Sequence, residues 1–272
     1  MNPWSTKESA IHSSPRHYNP HQRRAGFTLV EALVAIGILA ILIGLLIPVL
    51  SSAKESAAEV VGLSNLRQTG AAWQLYTDEY GGSMPWAPEG SAFRLSPELP
   101  PRSVIQPGYW GLSHYWSSLF HEVAPWPKWF EIWTFPDPRR PDYQPWAIDE
   151  GSESPFSDGV TSLVYSRALF ARPEIWATGD LITDRDSVLR AVRKSEVRFP
   201  SSKVSLYDGE YCVRTRCEDP LRVNRAMLFV DGHAAAHALG DAIEPAPPRL
   251  EYFEGQARPV LDTTGGAYGR DY

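Results

Sequence analysis

Cysteine is nearly absent: the chain has two, Cys212 and Cys217, in 272 residues. That excludes a disulfide-stapled scaffold. Excess positive charge is also lacking, with a formal net charge of −6. A general affinity for nucleic acid is therefore excluded, and any basic partner site has to be local. From Ala32 to Leu50 charge is missing altogether, over nineteen consecutive residues. What is abundant is tryptophan, ten residues, and proline, 24. Together they indicate an irregular, loop-rich globular part held by large aromatic anchors, and the length allows one domain or two small ones.

The charge is unevenly spread. Residues 1–26 hold Lys7, Arg16, Arg23 and Arg24 against Glu8, a balance of +3, so the remainder carries −9 of the net −6. A basic head before an apolar run points to a head that stays cytoplasmic. The run itself, "RRAGFTLVEALVAIGILAILIGLLIPVL", covers Arg23 to Leu50. A helix from Phe27 to Leu50 would be about 36 Å long at 1.5 Å per residue, enough to cross a hydrocarbon core of roughly 30 Å with some tilt. Gly37 and Gly44 suit close packing of membrane helices, and Pro48 should kink or loosen the far end. Glu31 is the anomaly, because a carboxylate in such a run is costly.

Two simple alternatives leave Glu31 unexplained. One is a secretory signal peptide cut near Ser51-Ser52-Ala53, although the apolar run exceeds the usual length. The other is a plain membrane anchor.

The stretch "GFTLVEALVAIGILAILIGLLIP" resembles the N-terminal processing motif of type IV prepilins and type II secretion pseudopilins. The resemblance implies that a prepilin peptidase cuts between Gly26 and Phe27 and methylates the new N-terminus. Glu31 becomes the fifth residue of the mature chain, and Pro48 falls where the family has its helix-loosening proline. It further implies that the Glu31 carboxylate meets the N-terminal ammonium of a neighbouring subunit. Pairing relieves the penalty on a charge held away from water.

Beyond the span, Val60, Leu63, Leu66, Gly70, Trp73, Tyr76 and Tyr80 recur at steps of three or four. That spacing predicts one apolar face of a helix continuing to about Tyr80, with Gly81-Gly82 as its stop. "NLRQTGAAWQLYTDEYGGSMP" resembles the segment after the membrane helix in the H-X9-DG subgroup of pseudopilin-like proteins.

Residues 84–146 hold seven of the ten tryptophans, Trp86, Trp110, Trp116, Trp126, Trp129, Trp133 and Trp146, interleaved with twelve prolines. A short helix is expected around Tyr115–Val123. Exposed rings would form a stacking platform for sugars; the preferred expectation is that they bury themselves to hold a domain with little regular structure.

"SLVYSRALF", "KVSLYDGEYCVR" and "NRAMLFVDGHAAAHAL" read as strands, with Asp208-Gly209 and Asp231-Gly232 as two-residue hairpin signals. A small antiparallel sheet packed on the helix follows. "NRAMLFVDGHA" resembles the subgroup's C-terminal signature, except that Leu221 stands where its histidine would be. Asp231, His233 and His237 invite a metal reading, since as a helix the i, i+4 histidines would share one face, a ligand-like pair. On a strand the two histidines lie about 13 Å apart and cannot share an ion. No metal site is assigned. Because major pseudopilins bind calcium in a C-terminal loop, Asp208, Glu210, Glu218 and Asp219 are weak calcium candidates beside the alternative of solvated turn acids. Cys212 and Cys217 either close a small disulfide loop or remain two thiols. From Pro245 a proline- and glycine-rich surface tail is expected.

The expected fold class is α+β and pilin-like. A long N-terminal helix, membrane half plus amphipathic half, packs on a small antiparallel sheet with an irregular Trp/Pro-rich insertion. The expected domains are a leader over 1–26, a transmembrane helix over 27–50, a stem over 51–82, an extracytoplasmic domain over 83–244 and a tail over 245–272. The resemblance implies a non-enzymatic pseudopilin-like subunit in the inner membrane, N-terminus cytoplasmic and C-terminal domain periplasmic. Its partners would be prepilin peptidase, other pseudopilin subunits and the assembly platform, with no cofactor and no nucleic acid. The alternatives are a minor pilin or tip adhesin binding glycans through the Trp-rich region, and a membrane-anchored hydrolase.

Overall fold

The computed structural model describes residues 27–88, 91, 93–94, 104–105, 111–120, 123–124, 130–133, 135, 161–184, 186–209, 217–250 and 257–272. They fall in two compact units, Met1–Leu50 and Ser51–Tyr272. One helix, α1 (Leu29–Glu79), contributes to both and runs through Pro48. Its first part is covered by nothing: every residue from Phe27 to Leu50 is exposed. By length and composition this part can cross a membrane.

In the second unit the helix changes character. Gly62, Leu66, Thr69, Gly70, Trp73, Tyr76 and Thr77 are buried along one face. The centre of the expected stripe is right and its ends are not. Val60 is 67 % exposed and Tyr80 42 %. The helix stops as the sequence predicts. Gly81 and Gly82 both have positive φ, +62° and +84°, and the Gly82 N–H donates to the Thr77 carbonyl at 2.5 Å. A bond from the second residue past the end back into the last turn is the Schellman closure, and the positive φ at Gly81 it requires favours glycine.

Beneath the helix lies a four-stranded antiparallel sheet of β3 (Leu163–Tyr165), β4 (Val204–Asp208), β5 (Asn224–Phe229) and β6 (Ala234–Ala238), in that order. The strands β1 (Phe93–Arg94) and β2 (Val104–Ile105) form a separate two-stranded pair. The sheet is covered on both faces, so β4 is buried at all five positions. Leu163, Tyr165, Leu206 and Leu228 face the side of Leu66, Trp73 and Tyr76. The residues between them, Val164, Tyr207, Met227 and Phe229, face Val260 and Leu261. This is the period of two expected of strands buried on both sides. The α+β architecture expected from the sequence is the one observed.

The Trp-rich middle supplies the helix-side core. α2 (Leu112–Tyr115) passes into a 3-10 turn over Trp116–Phe120, so the helical segment starts earlier than the sequence suggests. Trp73 packs within 5.6 Å of Trp116, 5.3 Å of Phe120 and 5.0 Å of Tyr165, ring centre to ring centre. The Trp116 indole N–H donates to the Leu163 carbonyl at 3.0 Å, giving a buried polar atom its partner.

A surface tail is not what residues 257–272 form. Val260, Leu261, Ala267 and Asp271 are buried. Apolar side chains in this segment cover the second face of the sheet, and a buried ion pair holds it there. Lys203, fully buried just before β4, donates from Nζ to Thr263 Oγ1 and pairs with Asp271 Oδ1 at 3.5 Å. Asp271 Oδ2 accepts the Val204 N–H at 2.7 Å. A second buried carboxylate, Asp262, pairs with Arg167 at 3.2 Å. Val260 has φ +58°, a strained conformation for a β-branched residue. Ser166 Oγ donates to its carbonyl at 2.7 Å and fixes it.

Candidate processing and assembly site

Gly26 lies outside the described residues. Phe27 is the first described one, and its ring is exposed. Thr28 and Glu31 then form a reciprocal pair. The Thr28 N–H donates to Glu31 Oε2 at 2.8 Å, and the Thr28 hydroxyl donates to the same oxygen at 2.7 Å. In return the Glu31 N–H donates to Thr28 Oγ1 at 3.2 Å. This is a capping box, with threonine at the cap and glutamate three residues on. It satisfies amide donors that the first turn of a helix otherwise leaves open. The positive end of the helix dipole also favours a carboxylate there.

The Thr-x-x-Glu spacing was legible in the sequence, and the sequence reading passed over it. Glu31 therefore has a local role that needs no second subunit: it starts the helix at the edge of the apolar run. Both of the Thr28 donors fall on Oε2, and Oε1 accepts nothing among the described residues. One lobe of the carboxylate is committed to the cap and the other is open to a cation.

Residues 21–47 match the prokaryotic N-terminal methylation motif. No curated protein and no solved structure matches the chain. The motif supports a prepilin-type N-terminus and a type IV pilin-like or pseudopilin protein, processed by prepilin peptidase and assembling with other pilin subunits. With the uncovered apolar helix it supports membrane anchoring. It ends at Ile47, so the folded unit from Ser51 onward lies outside it.

Among the other candidate positions, Asp231-Gly232 lies in the turn between β5 and β6 as expected, but the turn is one residue longer than the two-residue hairpin expected, with Val230 included in the loop. The Phe229 N–H donates to the His233 carbonyl at 2.9 Å, and Gly232 has φ +94°. Asp231 accepts from the His233 backbone N–H at 3.1 Å and contacts its ring at 2.6 Å. The turn touches the stem. A Cβ on Gly70 would sit 3.3 Å from the Gly232 carbonyl oxygen. Asp208-Gly209 is not a two-residue hairpin: the Gly209 N–H still donates to the Ser162 carbonyl beside β3 at 3.0 Å, and β5, the next strand and the antiparallel partner of β4, begins only at Asn224.

His233 and His237 flank the Phe229 ring, at 4.2 and 5.8 Å between centres. His237 lies on β6 and His233 in the turn. Among the described residues the calcium candidates do not form a cluster. Asp208 is buried, Asp219 pairs with Arg222 at 3.3 Å, and Glu210 lies outside the described residues. Glu218 is exposed. The Arg225 guanidinium bridges the Asp208 and Pro220 carbonyls at 3.5 and 3.1 Å, which places a positive charge between the two halves of that set. Among the described residues no three His, Cys, Asp or Glu side chains converge.

Cys217 is disulfide-bonded, and Cys212 lies outside the described residues. Trp116 and Trp133 are buried and Trp86 is half-buried against the core. Trp110, Trp126, Trp129 and Trp146 lie outside the described residues.

Proposed function

We propose that this chain is a pseudopilin-like structural subunit of a type II secretion or type IV pilus-like machine. It is cut between Gly26 and Phe27, N-methylated, and polymerised through its N-terminal helix. The observation that carries this reading is the methylation motif lying over an apolar helix that the protein leaves wholly uncovered. In the assembled state the open lobe of Glu31 receives the ammonium of Phe27 from a neighbouring subunit, while the other lobe keeps the cap. The leader is cytoplasmic and the unit from Ser51 onward lies on the far side of the inner membrane. Two findings support that orientation: the basic residues Arg23 and Arg24 before the span, and the bonded state of Cys217. Such bonds persist in oxidising compartments.

The test has two parts. The intact mass of the cellular protein should correspond to a methylated chain starting at Phe27, and a start at Lys54 would establish the signal-peptide alternative. The second part separates the cap from the ion pair. Glu31→Gln keeps an acceptor for the capping box and removes the charge. Subunit cross-links in membranes should fall strongly in Glu31→Gln while membrane insertion persists. Wild-type cross-linking in that variant would reduce Glu31 to a helix cap.

A further inference from the structure

The stem and the β5–β6 turn do not close fully on one another. A cavity of about 210 Å³ lies between them, within the unit from Ser51 onward. Small residues keep it open: Gly70 and Ala71 line it from the stem and Gly232 from the turn. A Cβ on Gly232 would meet nothing within 4 Å. At ~30 Å³ per water the space equals about seven waters, or one small organic molecule.

The walls are of two kinds. Trp73 and Phe229, both buried, supply apolar surface. The Trp73 indole N–H already donates to Met84 Sδ at 3.4 Å. Lys194 and Asp231 supply one positive and one negative charge. These two share the cavity and form no ion pair with each other. Lys194 has a neutral partner, since its Nζ donates to Gln74 Oε1, and it has no carboxylate partner among the described residues. Asp231 is held by the His233 backbone N–H and ring through Oδ1, at 3.1 and 2.6 Å, and its Oδ2 accepts nothing among the described residues. An ammonium has three donors and a carboxylate two acceptor oxygens, so both groups retain bonding capacity.

We infer that this cavity binds a free α-amino acid, with its carboxylate on Lys194, its ammonium on Asp231 and its side chain against Trp73 and Phe229. Opposite charges that line one cavity without meeting are bridged by a molecule that carries both charges on a short frame. A lone carboxylate would be repelled by Asp231 and a lone ammonium by Lys194, so the zwitterion is the species that both favour. The inference goes beyond the subunit reading and does not rest on it, because the cavity lies wholly outside the matched N-terminal motif.

The test is titration calorimetry of the full chain in detergent with glycine, L-alanine and L-leucine. L-leucine should bind saturably below about 10 mM. N-acetyl-L-leucine and L-leucinamide, which each lack one charge, should bind about tenfold more weakly. Lys194→Met should erase the preference for leucine over leucinamide, and Asp231→Asn the preference over N-acetyl-leucine. Ala71→Phe, at an exposed position on the rim, should block binding while thermal unfolding stays near wild type. No saturable binding by any of the three amino acids, blocked forms that bind as well as leucine, or binding unchanged in Lys194→Met and Asp231→Asn would overturn the inference. Binding of the dipeptide glycyl-leucine with none by the free amino acids would overturn it too, and would assign the cavity to peptides. The N-terminal mass and the Glu31 cross-links report on the subunit reading separately from any of these outcomes.

Discussion

Replacing Lys203 by methionine tests the buried pair that holds residues 257–272 on the sheet. The Lys203 side chain is 0 % exposed and that of Asp271 1 %. Removing one member of a buried pair leaves a charge without its counterion, typically costing about 3–5 kcal/mol. Lys203→Met fills the space of the lysine stem. Asp271 would keep the Val204 N–H and the Thr263 hydroxyl, which puts the loss near the lower end, about 3 kcal/mol. Asp271→Leu is the harsher change, since it strands both the Lys203 ammonium and the Val204 N–H, and should cost about 4–5 kcal/mol. The double variant replaces the pair with apolar groups and should be much milder than the sum of the two. For a unit of this size each kcal/mol lowers Tm by about 2–4 °C, so Lys203→Met should lose about 6–12 °C. The assay is urea and thermal unfolding of the purified chain in detergent, followed by tryptophan fluorescence. The reasoning is refuted if both single variants stay within about 1 kcal/mol of wild type, or if the double variant loses the full sum.

His114 and Gly70 give two further expectations. Burial, and then the positive charges of Arg167 and Arg258, hold the His114 imidazole below its ordinary value of 6.5. The unfolded chain then binds more protons than the folded one between the lowered value and 6.5. This part of the stability is therefore present above about pH 6.5 and is lost as pH falls through that window. Tm measured against pH should show the decline, and His114→Gln should flatten it. At Gly70 a Cβ would already lie 3.0 Å from Leu228 Cδ1, so Gly70→Leu should cost about 1–3 kcal/mol by overpacking the stem against the β5–β6 turn. An unchanged urea midpoint would show that the turn yields.

What the sequence made legible was what depends on near neighbours. The apolar run, the glycine stop after Tyr80 and the Asp231-Gly232 turn are local decisions, and the structure places them as expected. The middle of the stem stripe was legible because period and burial agree there. Val60 and Tyr80 keep the period and are exposed, because periodicity marks a face but not where along it the burial ends. Asp208-Gly209 failed for a related reason. Turn chemistry suggests a two-residue hairpin, but where the partner strand begins is set by residues further along, and β5 starts only at Asn224. The buried Lys203 was invisible because its carboxylate partner is 68 residues away. A proline- and glycine-rich composition gave no sign that the last segment covers a sheet face. At the candidate site the motif was read as a whole, and the Thr28–Glu31 cap within it was missed although four adjacent residues carry it.

That cap has a consequence for the order of events at the membrane. Its donors and acceptors all belong to Thr28 and Glu31, downstream of the cut proposed between Gly26 and Phe27. The instruction to begin the helix is thus written downstream of the cut. Removing residues 1–26 subtracts none of these bonds. Under the proposed processing, the charge and chemistry of the terminus can change while the Thr28–Glu31 bonds of the first turn remain available.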